Sequence, residues 1–270
     1  MHAAGDGPAF SAQERPQERH LSTVLASMFG SVIEWYDFFL YGTMAALVFN
    51  TKFFPEFDPL IGTLVAFATF AAGFITRPIG GVVFGHFGDR IGRKKILIIT
   101  MFIMGGSTFL MGALPTYEQI GIAAPILLLL LRMLQGIGLG GEWGGAAILT
   151  FEHAPHGKRG WFSAWPQTGV PLGLLLSTLA VNLASLPGDD ALQGWTWRIP
   201  FLASIVLVII GLLVRLNVQE PPSFRDMVAT DNRAKTPMLE VLRDYPKQII
   251  LGVGARFSES ITFNVYNAFI

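Results

Sequence analysis

The sequence predicts an all-α membrane protein, a bundle of spanning helices. Three observations carry that prediction. Hydrophobic residues make up 51% of the 270 and charged residues only 14%, against about 25% charged in an ordinary soluble domain. Mean hydropathy is +0.49, more apolar surface than one globular core can hide beneath a polar shell. The apolar residues also gather into runs of the roughly 20 residues that a spanning helix needs, not the short alternating stretches of a barrel strand.

Six such runs appear, and then a seventh. They fall at 23–49, 60–84, 96–115, 121–146, 162–186, 199–219 and 248–270. Ahead of them, residues 1–21 carry Asp6, Glu14, Arg15, Glu18 and Arg19 and no apolar core, so they read as a polar cytoplasmic tail and not as a signal peptide. The first run shows no clear cleavage site and is expected to stay. After the sixth run, Glu220-Pro221-Pro222 stops the helix. Met238, Val241, Leu242 and Tyr245 then recur at helical spacing, which predicts a short amphipathic helix on the inner membrane surface. The expected domains are therefore the tail 1–21, a six-helix unit 22–219, a cytoplasmic linker 220–247 and one further helix, 248–270.

Charge placement sets the expected orientation. With the N-terminus inside, fourteen of the nineteen lysines and arginines fall in inner segments, six of them from Arg215 to Lys247. Lys52 and Arg198 fall outside, and Arg77, Arg132 and Arg256 fall within helices. This is a strong positive-inside bias, as in a multi-pass protein of a bacterial inner membrane with its N-terminus in the cytoplasm. Acidic and basic residues balance at nineteen each, against the basic excess of a nucleic-acid binder. The absence of cysteine excludes a disulfide framework, a thiolate zinc site and a thiol nucleophile. No nucleophile–base pair, metal spacing or cofactor signature stands out, so an enzyme is the weakest reading.

A charge at mid-membrane costs about 2.5 kcal/mol or more and needs a reason to be there. The candidates are Glu34, Asp37, Arg77, Arg132, Glu142, Arg256 and Glu259. Glu34 and Asp37, three apart, share a helix face. Glu34 lies roughly 15 Å along the first span, and Arg132 a similar depth along the fourth from the other side, so the three are expected to meet near the midplane. Neighbouring carboxylates beside an arginine make a proton-coupling device; the alternative is a static ion pair fixing the first helix to the fourth. Arg77 reads as an interfacial anchor or an anion contact. Tyr36, Tyr41 and Trp143 are packing residues or pocket walls able to hold a cationic group. Gly136, Gly140 and Gly144 in the fourth run, and Gly169, Gly173 and Ser177 in the fifth, recur at four-residue spacing, which lets helix backbones approach closely in lipid.

The turn between the second and third runs reads Gly85-His-Phe-Gly88-Asp89-Arg90-Ile-Gly92-Arg93-Lys94-Lys95. Gly88 and Gly92 permit a tight turn there, and Asp89 is expected at a helix N-terminus. The segment resembles the signature loop of the major facilitator superfamily. Arg132-Met-Leu-Gln135-Gly136 is similar to that family's arginine–x–x–glutamine–glycine motif. Glu34-Trp-Tyr-Asp37-Phe38, Thr76-Arg-Pro-Ile-Gly-Gly81, Gly140-Gly-Glu-Trp-Gly-Gly145 and Trp165-Pro-Gln167-Thr-Gly169 resemble the metabolite:proton symporters, the carriers of proline/betaine, α-ketoglutarate, citrate, dicarboxylates and shikimate.

The resemblance implies an N-terminal six-helix bundle of 3+3 inverted repeats plus a linker and a seventh helix, with the rest of a twelve-helix fold missing, and hence a truncated chain. It implies proton-coupled symport of a small organic solute by alternating access. Glu34, Asp37 and Arg132 would couple the proton. Arg132, Arg77, Tyr36, Tyr41, Trp143 and Gln167 would meet the solute, and Gly85, Gly88, Asp89, Arg90, Gly92, Arg93 and Lys94 would form a gating loop. The expected partners are that solute, the proton and the lipid. A seven-helix receptor or sensor is the alternative, although 248–270 holds no lysine for a retinal; an inactive fragment is another.

Overall fold

The computed structural model of the chain describes residues 16–155, 157–216 and 243–269, and every regular element among them is helical. Helix α1 runs Pro16–Met44 and continues through a π-helical turn, Ala45–Phe49, and a last turn, Asn50–Lys52. Then come α2 (Pro59–Ile91), α3 (Arg93–Ala113) and α4 (Ala123–His153). A short helix, Arg159–Ala164, and a 3-10 turn, Trp165–Thr168, lead into α5 (Gly169–Ser185). Helices α6 (Arg198–Leu216) and α7 (Pro246–Phe269) complete the chain.

Six helical stretches are long and apolar enough to cross a membrane: Val24–Lys52, Pro59–Gly88, Arg93–Ala113, Ala123–Glu152, Arg159–Ser185 and Arg198–Leu216. They match the first six expected spans. Helix α7 is not in this set, because Arg256 and its serine, threonine and asparagine neighbours dilute the apolar run. The bundle is apolar outside and charged inside. Ile75 is 74% exposed and Leu175 65%, whereas Arg132 and Glu142 are each 1% exposed. Only a hydrocarbon solvent makes that arrangement favourable, since each helix satisfies its own backbone and turns its aliphatic side chains to lipid.

Local chemistry explains most helix ends. Asp58 caps α2, its Oδ1 accepting from Leu60 N at 2.9 Å, with Pro59 at the first helical position. Thr116 and Gln119 cap each other's backbone groups in the connection to α4. The expected loop 85–95 is not a loop. Helix α2 continues to Ile91, and Gly92 alone joins it to α3, at φ +108°. Gly88 is therefore helical, and Asp89 lies in the last turn of α2, not at a helix N-terminus. Helix α1 begins inside the expected tail, at Pro16. Most of the amphipathic helix expected in 220–247 lies outside the described residues.

The packing follows an exchange pattern. Helix α2 packs chiefly on α4, α1 on α5, α3 on α4, α6 on α3, and α1 on α6. Exchanging the first three spans with the last three turns α2–α4 into α5–α1, turns α3–α4 into α6–α1, and returns α3–α6 to itself. That is the signature of 3+3 repeats. The close pairs use glycine. A Cβ at Gly136 or Gly140 would overlap the backbone carbonyls of Gly73 and Arg77 on α2, and one at Gly80 that of Ile137 on α4. In α5, Gly169 and Gly173 lie against the α1 backbone at Ser31–Val32 and Trp35–Tyr36. Gly144, on the same expected stripe, faces open space. At one end the bundle closes over an aromatic core in which Tyr41, Phe49, Phe53, Trp197 and Phe201 meet, mostly edge to face.

Candidate functional site

Helix α1 carries its two carboxylates into different environments one turn apart. Asp37 is 2% exposed and enters a dry cluster with α3 and α4. Gln135, one turn beyond Arg132 on α4, bridges the pair: Arg132 Nη1 donates to Gln135 Oε1, and Gln135 Nε2 donates to Asp37 Oδ2 at 3.3 Å and to Thr108 Oγ1 at 2.7 Å. Asp37 and Arg132 make no direct ion pair. Asp37 Oδ1 and Arg132 Nε are buried without a partner.

The Arg132 guanidinium lies 4.5 Å from the ring centres of both Tyr41 and Phe70. It also lies against Gly73, where a Cβ would come within 3.0 Å of Nε. Arg132 is thus clasped by two rings and a glycine, with its charge relayed to Asp37 by an amide.

Glu34 opens instead onto a cavity of about 580 Å³. Its walls come from α1, α2, α4, α5 and α7. Arg77 and Arg256 supply cations, Gln167 and Ser260 supply polar groups, and Trp35, Phe38 and Phe74 supply aromatic walls. Arg77 stacks 4.5 Å over Phe74, and its Nε has no partner. Because α2 runs on to Ile91, Arg77 sits well inside the helix and lines the cavity, away from the interface expected for a snorkelling anchor. One acid, two arginines and three aromatic rings make a site for a small polar or zwitterionic molecule, within the volume range of ligand pockets.

A second charged cluster closes the end of the bundle near Gly92. Arg215 is 3% exposed, donates to Leu97 O and pairs with Glu142, whose Oε2 accepts from Thr100 at 2.9 Å. Sequence reading assigned Arg215 to the inner polar stretch; it is instead the buried last turn of α6. Its position at the end of an apolar run hid it, and the one signal for it was that Glu142 needed a partner. Lys94 reaches across to donate to Leu216 O at 2.6 Å. The motif lysine therefore ties the start of α3 to the end of α6.

The expected triad thus separates. Asp37 and Arg132 come together through Gln135, and Glu34 faces the cavity beside Arg77. Gln167 also lines the cavity. Tyr36 does not, because its hydroxyl donates to Pro200 O at 2.6 Å and ties α1 to α6. Tyr41 shares a 2.6 Å hydrogen bond with Thr69 beneath Arg132. The side chains of Trp143 and Asp89 lie outside the described residues, while Gly85, Gly88 and Arg90 sit in the last turns of α2. Gln135 and Thr108 were missed as site residues, although Gln135 follows Arg132 by three and so shares its face.

A bundle that buries its charges, pairs its helices by exchange and opens a cavity lined by charged and aromatic side chains has the architecture of one half of a major facilitator membrane transporter. The chain belongs to the sugar (and other) transporter family, whose model matches residues 23–248. It is 47% identical over 264 residues to the shikimate transporter of Escherichia coli strain K12, covering 94% of this chain and 60% of that protein. It is 37% identical over 250 residues to the proline/betaine transporter of the same strain, covering 89% of this chain and 50% of that protein. Among solved structures it is similar to the inward-open xylose transporter XylE from E. coli, with a TM-score of 0.67 at 20% identity, covering 86% of this chain and 55% of that one. The chain spans about half to three-fifths of the length of these relatives. They are multi-pass membrane transporters, not enzymes.

Proposed function

We propose that this chain supplies the proton-coupling half of a carrier that moves a small organic solute, a carboxylate or zwitterion of the proline, betaine or shikimate kind, together with a proton. The carrier sits in a bacterial inner membrane with the chain's N-terminus in the cytoplasm, and works by alternating access. The observation that carries the reading is the separation of roles along α1. Asp37 lies in a dry cluster with one oxygen unpartnered, where a proton can add. Glu34, one turn away, faces the cavity with Arg77 and Arg256. The solute carboxylate meets the arginines, and a cationic group meets Glu34 and the aromatic walls. Gln135 couples Asp37 to Arg132, because protonation of Asp37 weakens the bond it accepts from Gln135 and leaves the amide to Thr108 and Arg132. The turn at Gly92 and the tie from Lys94 to α6 gate the inner end.

The test is uptake into vesicles by the carrier that contains this sequence, driven by an imposed pH gradient. Asp37→Asn keeps the shape and an acceptor for Gln135, so solute exchange persists while gradient-driven accumulation falls about 100-fold. Full accumulation by Asp37→Asn sinks the assignment.

A further inference from the structure

Beside the large cavity lies a small, separate chamber of about 40 Å³, lined by Ser27, Ser31, Glu34, Glu142, Ser163 and Gln167 among others. Glu34 and Gln167 line both spaces, so the two adjoin at these side chains. The chamber has an unmet polar group: Ser163 Oγ is buried and has no partner. Glu34 on the same wall is 7% exposed. A polar cavity needs roughly 10–15 Å³ to hold a water, so the chamber has room for at least one.

We propose that this chamber holds water that joins Glu34 to Glu142, adding both carboxylates to the proton route that the reading above places at Asp37. The inference rests on the proton-coupled reading above. Glu34 faces Arg77 from α2 and Arg256 from α7, with Asp37 one turn along its own helix. Glu142 faces Arg215 from α6 and the Thr100 hydroxyl from α3. In the transfer, the O–H bond of protonated Glu34 breaks and water takes the proton. That water passes a proton onward, and an O–H bond forms on the Glu142 carboxylate. Glu34 is left anionic between two arginines. Arg215 stays cationic and keeps its bond to Leu97 O. The route leads from the solute cavity toward the end of the bundle that holds the Gly92 turn.

Radiolytic hydroxyl-radical footprinting of the protein in nanodiscs reads the water directly. Glu142 and Met101 are each 1% exposed, and methionine is the more reactive residue. Modification of Glu142 with Met101 silent is the expected result. Ser163→Leu, or Ala147→Leu at another residue of the chamber wall, fills the chamber and drops Glu142 to the Met101 level. A silent Glu142 in the unaltered protein, or one unchanged in both filled variants, overturns the water site. The proton link is read in carrier vesicles with labelled proline or shikimate. Both filled variants keep solute exchange and lose gradient-driven accumulation by about tenfold or more. Full accumulation in a variant whose chamber has dried overturns the link. If the unaltered carrier ignores the pH gradient, the symport reading fails instead, and footprinting still decides the water.

Discussion

The buried charges of this protein are each held by a different device, and the devices differ in what their loss costs. Glu142 and Arg215 are a direct pair with the surrounding polar groups mostly satisfied. Removing one partner strands the other in an apolar interior, which costs about 3–5 kcal/mol. Arg215→Met is therefore expected to lower the thermal midpoint of the purified protein strongly, and Glu142→Gln in the same chain to restore most of the loss. A single variant that melts with the unaltered protein removes the pair from the stability account. Arg132 depends less on any one bond, being clasped by Tyr41, Phe70 and the bare face of Gly73. The motif residues Asp37 and Arg132 were legible in the sequence because charge within an apolar run is conspicuous. Their separation from Glu34 was not legible. A spacing of three sets a shared face, but which neighbour each residue meets depends on how α2, α4 and α7 surround it.

Among the helices, glycine sets how closely they approach, and not every glycine of a stripe matters. The sequence stripe 136, 140, 144 read as one contact surface. Only its first two members meet α2, and Gly144 has nothing within 4 Å. Gly140→Ala drives a methyl into the Arg77 carbonyl and forces α2 and α4 apart, with an expected loss of about 1–3 kcal/mol. Gly144→Ala meets nothing within 4 Å and is expected to be silent or slightly stabilising. Denaturation of the two variants side by side decides between a packed stripe and a local contact. Helix existence was legible throughout, since apolar runs of this length in lipid have one solution. The Gly92 junction was not, because glycines and charges read as a loop whether the chain unwinds over eleven residues or pivots at one.

For the molecule as a whole, the exchange pairing and the charge asymmetry together predict one topology. Six spans return the chain to the side on which it began, so Lys95 and Lys158 lie on one face, and Glu118 and Asp190 on the other. Moving Arg215 into the bundle leaves the bias nearly intact, since the inner face keeps thirteen basic residues against two. The natural lack of cysteine makes the check simple. Single cysteines at 118 and 190 are expected to react with an impermeant maleimide added outside cells, and those at 95 and 158 only after the membrane is opened. The reverse pattern inverts the bundle.

With a single residue between them, α2 and α3 have no slack. A displacement of the end of α2 therefore carries the start of α3 with it. Helix α3 holds α6 at Leu97 and Lys94, so the displacement is handed on across the bundle. The three helices are thus fastened to one another at the end of the bundle that holds Gly92, and a shift in any one of them there is shared by the other two.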